Sequence, residues 1–216
     1  MKKSILTISF VASFLLFFTS CDKDDSPATA VTDYSPSTRG SNWTYRYTEG
    51  ATVATFKMTA IKDTTLNNKA YKIYTNDLID TTYMAKSGND YYRFQSFPAI
   101  GINNFEELYL KDNLDVNGTW RSSASINYSG FVIPVTLDDT IKGKGETRTV
   151  EGTTYNDVIH VKLGIVTSLF GNVGGGDFYY AKGVGLIEDN ILVTPPAAFG
   201  SPYSSSQTLL SYKISK

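Results

Sequence analysis

Trp43-Thr44-Tyr45-Arg46-Tyr47 places three aromatic side chains on one side of an extended chain and two polar side chains on the other. Successive side chains of a β-strand point to opposite faces, so this alternation predicts a strand with one buried face and one face in water. Similar alternation recurs at residues 56–58, 159–163 and 210–214. The chain also contains 15 tyrosines and many Thr, Val, Ile and Phe residues, which is a strand-forming composition.

Turn-forming dipeptides such as Asn117-Gly118 and Glu151-Gly152 separate the alternating runs. Their spacing of about 8–15 residues predicts consecutive hairpins, and hence antiparallel neighbours. The sequence therefore predicts an all-β fold, an antiparallel up-and-down meander of about ten to twelve strands curled into a barrel or half-barrel. A two-sheet β-sandwich is the alternative.

The first twenty residues have the composition of an export signal. Two lysines precede a mostly apolar run at residues 5–18, which is too short for a membrane-spanning helix of about 20 residues. Thr19-Ser20 then leads directly into Cys21, the only cysteine. This arrangement resembles the lipobox of bacterial lipoproteins, although the family usually has Leu where this chain has Phe18. The resemblance implies that Cys21 becomes the acylated N-terminus; an ordinary signal peptide is the alternative.

Lys23-Asp24-Asp25 follows the cysteine and resembles the short acidic tag that directs some lipoproteins to the outer cell surface. The resemblance implies a lipid-anchored protein of the outer membrane that faces the cell exterior; the periplasmic face is the alternative. Residues 22–39 are rich in Ser, Thr, Pro and Asp, which is typical of a disordered tether. The predicted organisation is a signal peptide (1–20), a lipidated N-terminus and tether (21–39) and a single β-domain (40–216).

Two motifs connect the mature chain with a known group of proteins. They are Gly40-Ser41-Asn42-Trp43-Thr44-Tyr45 and Tyr179-Tyr180-Ala181-Lys182-Gly183-Val184-Gly185-Leu186. These motifs resemble those of a group of small, uncharacterised β-rich bacterial lipoproteins. The resemblance implies a curled sheet, similar to that of lipocalins or of periplasmic lipoprotein carriers. It implies no enzymatic reaction and no catalytic residues.

The sequence shows no arrangement typical of a catalytic or metal site. His160, the only histidine, shares a predicted strand face with Lys162, and Cys21 is assigned to the anchor. A nucleophile–histidine mechanism or a zinc site would need further His or Cys residues. Paired carboxylates could hydrolyse glycosides, but the sequence does not place any two acids together in a cleft. We therefore predict no enzymatic activity, no cofactor and no metal.

Two loop-like motifs also lack the residues of a binding site. Residues 113–118 imitate the start of a calcium loop, but Ala124 stands where the bidentate Glu would be, so a plain turn is predicted. Residues 171–177 are rich in glycine but lack the Gly-Lys-Ser/Thr of a phosphate loop. We predict a flexible loop or hairpin connection there.

Aromatic residues and threonines supply the remaining candidate sites. Trp43, Trp120, Tyr179 and Tyr180 are candidates for contacting a ligand, with core packing as the alternative. Thr64, Thr81 and Thr140 each follow an aspartate in a pattern that resembles bacterial O-glycosylation sites.

The charge balance of 20 basic and 21 acidic residues does not favour nucleic acid as a partner. The predicted partners are the membrane, through the acyl chains, and a lipid, a hydrophobic small molecule or a glycan. The function predicted is therefore non-catalytic binding by a surface lipoprotein. The alternatives are a structural or interaction subunit of a cell-surface complex, with a possible partner protein there, and then a hydrolase.

Overall fold

Twelve antiparallel strands form one sheet that curls into a nearly closed barrel. The computed structural model describes residues 32–78, 80–97, 102–128, 131–197 and 200–216. The strands are β1 (Asn42–Glu49), β2 (Thr52–Leu66), β3 (Lys69–Asn76), β4 (Asp80–Ser87), β5 (Asp90–Phe97), β6 (Ile102–Lys111), β7 (Thr119–Tyr128), β8 (Phe131–Val150), β9 (Thr153–Thr167), β10 (Gly171–Ala181), β11 (Gly185–Val193) and β12 (Tyr203–Lys213). The predicted all-β meander is confirmed, and the sandwich alternative is wrong because all twelve strands share one sheet. Within the described ranges, no helix has the length and apolar character needed to cross a bilayer.

The first and last strands pair with each other in the middle of the sheet. The strand order is β6-β5-β4-β3-β2-β1-β12-β11-β10-β9-β8-β7. Every other neighbouring pair is therefore a hairpin between consecutive strands, as the short turns predict. The backbone N–H of Ser215 donates to the Ser41 hydroxyl oxygen at 2.9 Å, which ties the end of the chain to the start of β1.

The two edges of the sheet, β6 and β7, are consecutive in the chain and contact each other through side chains. The indole N–H of Trp120 in β7 donates to the carbonyl oxygen of Leu108 in β6 at 2.7 Å. The backbone N–H of Leu108 donates to the Ser122 hydroxyl oxygen at 3.3 Å. Both bonds satisfy backbone groups of Leu108 at the β6 edge, which would otherwise be open to pairing with another chain.

The inner face of the barrel is packed with aromatic and aliphatic side chains. The largest fully buried ones include Tyr74, Tyr91, Leu110, Ile141 and Ile159. Two clusters of buried side chains form the core. The first draws on β5–β10, and the second draws on β1–β3, on β8–β12 and on the turn between β10 and β11. Trp43 anchors the second cluster, because its indole N–H donates to the Val184 carbonyl oxygen at 2.7 Å.

The segment before β1 packs against one end of the barrel. Tyr34 is 8% exposed and belongs to the first cluster. The carbonyl oxygen of Asp33 accepts a bond from the Gly183 N–H at 2.7 Å, and the Tyr74 hydroxyl donates to the Pro36 carbonyl oxygen at 3.3 Å. The packed part of the chain thus reaches back to Asp33, whereas the sequence placed residues 33–39 in the tether.

Candidate functional site

The inner face carries charged side chains among the aromatics. Arg93 in β5 donates to one Glu107 carboxylate oxygen in β6 from Nε at 3.1 Å and from Nη2 at 2.7 Å. The guanidinium also lies 5.5 Å from the ring centre of Tyr109 and 6.0 Å from that of Phe178. Glu107 is 3% exposed. The pair is therefore shielded from water. In such a buried environment a charged pair joined by two hydrogen bonds interacts more strongly than it would at the surface.

Two aspartates are buried on the same inner face. Asp139 in β8 is 2% exposed and Asp189 in β11 is 5% exposed. Burial, with the charge of Glu107 as a second cause, raises the pKa of Asp139 to about 8. Burial also raises the pKa of Asp189 to about 7, against the hydrogen bond that it accepts from the Gln207 amide. Within the described residues, Oδ2 of Asp139 is buried without a hydrogen-bond partner.

These groups make the centre of the barrel unsuitable for an acyl chain. A lipid tail there would contact Arg93 and the carboxyl groups, and removing such groups from their polar partners is costly. The perturbed acids also lie in the packed core and not in a cleft open to substrate. We therefore interpret the charged groups of the inner face as part of the packed core.

A groove of about 530 Å³ lies on the outer wall, across strands β8 to β11. Its volume falls within the range of about 300–1,000 Å³ that is typical of ligand sites. The residues that line it are mainly polar or glycine: Asp138, Thr140, Lys142, Lys162, Leu163, Gly164, Asn172, Gly174, Gly175, Gly176, Asn190 and Leu192.

Strand pairing explains the shape of this groove. Residues directly opposite each other in an antiparallel pair point to the same face. One outward row, which we call the glycine row, consists of Asp138, Gly164, Gly175, Leu192 and Ser204. A second outward row, the polar row, consists of Thr140, Lys162, Asp177, Asn190 and Ser206. The glycine row lacks side chains at β9 and β10, so it forms a floor beside the wall that the polar row makes.

The run Gly174-Gly175-Gly176 is part of strand β10, so the predicted loop at residues 171–177 is wrong. A Cβ atom at Gly174 would lie 2.2 Å from the Leu192 carbonyl oxygen, and one at Gly175 would lie 2.0 Å from the Leu163 carbonyl oxygen. Their φ angles are 144° and 158°, a region that L-residues rarely adopt. The glycines therefore let β9 and β11 approach β10 closely, which is the role of glycine at a bend in a barrel.

The groove walls present hydrogen-bonding groups of both kinds. Lys162 donates to Asp177 Oδ2 at 2.9 Å, and Nε2 of His160 lies 2.8 Å from Asp177 Oδ1. Burial opposes ionisation of Asp177, but these two partners hold its pKa below the ordinary value. Within the described residues, Lys142 is exposed and has no ion-pair partner. The Asn172 side-chain oxygen accepts from the Gly174 N–H at 2.9 Å, which leaves the amide NH₂ at the groove.

A second groove of about 330 Å³ adjoins the first. The two share Asn190 and Leu192. The remaining lining comes from Thr48, Gly50, Ile191, Ser204, Ser205 and Ser206, on strands β1, β11 and β12 and the turn after β1. Four of the residues that line this groove carry hydroxyl groups, and none of its lining residues is charged.

The wall next to the first groove is stiffened by a cation–aromatic stack. The Arg148 guanidinium lies 3.3 Å from the ring centre of Tyr179, whose ring stacks on His160 at 4.4 Å. Arg148 also donates from Nε to Glu188 at 2.7 Å. Since each planar group has a partner, the stack fixes the strand faces beside Lys162 and Asn190.

The four aromatic residues predicted as ligand contacts lie in two different places, three in the core and one on the outer wall. Trp43, Trp120 and Tyr180 are 2%, 9% and 3% exposed and point into the core, whereas Tyr179 lies on the outer wall within the stack. Thr140 lines the first groove, and Thr64 and Thr81 are half-buried strand residues away from it. Cys21 and Lys23-Asp24-Asp25 lie outside the described residues.

The features that the sequence interpretation missed are Arg93, Asp189 and the groove itself. Asp189 and Glu107 stand in the apolar phase of their strands, between Ile187 and Ile191 and between Phe105 and Tyr109. An acidic residue at a position where the alternation expects an apolar one indicates a buried carboxyl group, so the sequence contained a sign of both. Within the described residues, no group of three or more His, Cys, Asp or Glu side chains could hold a metal ion. Residues 113–118 form turns, with Asn117 at a φ of 71°, as predicted.

Comparison with known proteins identifies structural relatives. No protein-family model matches the chain, and no curated protein matches it. The structure is similar to that of a candidate lipoprotein from Parabacteroides distasonis, with a TM-score of 0.52 and 17% sequence identity, covering 84% of this chain and 99% of that chain. A candidate exported protein with a YmcC-like fold from Bacteroides fragilis gives a TM-score of 0.42 and 9% identity, covering 82% and 97%. At this level of identity, the first similarity shows that the two chains share a fold.

Proposed function

We propose that this protein is a lipid-anchored component of the bacterial cell envelope that binds a glycan, without catalysis, in the groove on its outer wall. The observation that carries the proposal is the groove of about 530 Å³, with a glycine floor and walls of Asn, Lys, Asp and Thr side chains. Such walls offer many donors and acceptors to a ligand that carries hydroxyl groups.

The contrast between the two faces of the sheet favours a glycan over the other predicted ligands. A lipid or a hydrophobic small molecule needs an apolar cavity. The inner face is instead filled by side chains such as Tyr91 and Leu110, and it surrounds the Arg93–Glu107 pair. The outer groove is open to solvent, and it combines an apolar glycine and leucine surface with side chains that donate and accept hydrogen bonds. This combination suits a sugar ring, which has apolar faces and hydroxyl groups at its edge.

The envelope location rests on the N-terminal sequence and on the relatives. The lipobox-like segment ending at Cys21 supports acylation, and the tag Lys23-Asp24-Asp25 supports the outer surface. A fold shared with a candidate lipoprotein is consistent with this placement.

A second candidate function is that of an interaction subunit in a surface complex. Exposed apolar side chains lie at or beside the turns β1–β2, β3–β4, β7–β8 and β9–β10: Val53, Leu78, Val132 and Leu169. In an up-and-down meander these turns are all at the same end of the barrel. That end is opposite to the one where residues 33–36 pack, so it is available to a partner protein.

Binding of purified protein to a panel of polysaccharides tests the glycan proposal. The panel would contain starch, cellulose, xylan, mannan, pectin and mucin glycans, in affinity electrophoresis and calorimetry. The blocking variant is Gly164→Tyr. A Cβ atom at Gly164 has only ordinary contacts, 3.6 Å or more from its neighbours, so the ring fills the groove without straining the backbone.

The matched control is Thr65→Tyr, which adds the same ring at an exposed position of β2. We expect the wild-type protein and the control to bind one member of the panel, and the blocking variant to lose at least about tenfold in affinity, or 1.4 kcal/mol. Failure to bind any panel member, or equal binding by both variants, would contradict the proposal.

A further inference from the structure

We infer that the two grooves form one trough, and that its ligand is a linear, unbranched glycan chain that lies across the strands. This inference rests on the proposed function and names the class of glycan. The trough has the glycine row as its floor and the polar row as one wall, from β8 to β12, and Thr48 of β1 lies at its far end.

Strand register makes the trough continuous. Leu192 lies opposite Gly175 on one side and opposite Ser204 on the other. In the next row, Asn190 lies opposite Asp177 and Ser206, and Ser206 lies opposite Thr48. The floor and wall of the first groove therefore pass into the second without a change of face.

The length of the trough selects an oligomer. Neighbouring strands are about 4.8 Å apart, so the five steps from β8 to β1 span about 24 Å. This exceeds the length of a disaccharide. The rows on either side of the glycine row lie about 6.6 Å away along each strand. At Gly164 and Gly175, where the floor has no side chain, this spacing leaves a width of about one sugar ring and favours an unbranched chain.

The chemistry changes along the trough. At the β8–β9 end, Asp138, Lys142 and Lys162 offer charged donors and acceptors. At the β12–β1 end, Ser204, Ser206 and Thr48 offer hydroxyl groups. Leu192, 55% exposed at the centre, presents methyl groups to the apolar face of a sugar ring. A chain lying along the trough would contact each of these in turn.

A ladder of size-defined oligosaccharides tests the inference. Calorimetry would use malto-, cello-, xylo-, manno- and galacturono-oligosaccharides of one to six units. In at least one series we expect the affinity to rise by about tenfold or more from the disaccharide to the tetrasaccharide, because the longer chain adds contacts at Ser204 and Ser206.

Two variants locate the binding along the trough. Ser204→Tyr obstructs the β12 end at an exposed strand position, and should reduce the affinity for the hexasaccharide to that for the disaccharide while leaving disaccharide binding unchanged. Gly164→Tyr should weaken both, and Thr65→Tyr neither.

The outcomes separate the inference from the proposed function. Equal wild-type affinity for the disaccharide and the tetrasaccharide in every series that binds, or a Ser204→Tyr protein with wild-type affinity for the hexasaccharide, would overturn the linear-chain inference while glycan binding stands. Absence of binding to every oligosaccharide and every polysaccharide would overturn both.

Discussion

Asp139 occupies a position that the alternation of β8 assigns to apolar side chains. Its neighbours in the same phase, Leu137 and Ile141, are 5% and 0% exposed. A carboxyl group at such a position is destabilised in its charged form by loss of hydration. The folded protein therefore favours the neutral acid, which agrees with the pKa of about 8 for Asp139.

The raised pKa of Asp139 predicts how stability changes with pH. Between its ordinary pKa of 3.8 and its folded pKa of about 8, the folded protein holds a proton that the unfolded chain has released. The free energy of unfolding should therefore fall as the pH rises through this window, by about 1.4 kcal/mol per pH unit for one such group. Asp139→Asn removes this term, so the variant should gain stability relative to wild type as the pH rises from about 5 to about 8.5.

Urea unfolding followed by tryptophan fluorescence at several pH values measures the difference. The control is Asp63→Asn, whose carboxylate is 70% exposed beside Lys72 and should change stability by no more than about 0.5 kcal/mol. A constant difference between wild type and Asp139→Asn across the pH range would show that Asp139 does not titrate in this window.

The sequence predicts which charged residues are buried, but it does not predict which side chains they contact. The sequence shows that Glu107 and Asp139 stand in apolar phases of alternating strands. It does not show that Arg93 faces Glu107, because that contact depends on the register between β5 and β6. Register depends on all the residues of a hairpin together. The charged contacts inside the barrel could therefore not be predicted from the sequence alone.

At the scale of elements, β10 shows where pattern and structure diverge. Strands with alternating aromatics, such as β1, were predictable because burial of one face determines their period. β10 begins with Gly171 and contains three consecutive glycines, and glycine disfavours isolated strands. Neighbouring strands on both sides supply the hydrogen bonds that keep this segment extended.

Two glycines of the glycine row should respond oppositely to the same substitution. Gly175→Ala places a Cβ atom 2.0 Å from the Leu163 carbonyl oxygen at a φ of 158°, so we expect a loss of at least about 2 kcal/mol. Gly164→Ala meets only ordinary contacts and restricts the unfolded chain, so its effect should lie between no change and a gain of about 1 kcal/mol. Thermal and urea unfolding of the pair measures both; equal effects would argue against close approach at β10.

At the scale of the whole molecule, the sequence predicted a barrel or half-barrel but not where it opens. Pairing of β1 with β12 joins residues more than 150 positions apart, such as Trp43 and Tyr212. Short-range patterns carry no information about such a contact. The side-chain bonds between β6 and β7 were equally hidden, since Trp120 has the same local pattern as any core tryptophan.

The segment before β1 should contribute to the stability of the whole barrel. Tyr34→Ala removes a side chain that is 8% exposed in the first core cluster, and should cost about 3 kcal/mol. Thr38→Ala in the same segment is the control, because Thr38 is exposed and should change stability by no more than about 0.5 kcal/mol. Equal melting temperatures for the two variants would show that the domain is complete from residue 40 onward.

The pairing of β1 with β12 gives the last strand an unusual importance. In a meander with a free final strand, loss of that strand trims one edge and leaves the rest of the sheet intact. Here the 11 residues of β12 lie between β1 and β11. A chain that stops before Tyr203 is therefore divided into two half-sheets of six and five strands that no backbone ladder joins. Side-chain contacts such as those of Trp43 with Val184 and of Trp120 with Leu108 are then the links between them. During synthesis the two half-sheets can pair only after β12 has been added, so a premature stop near the end removes more than one strand's worth of pairing.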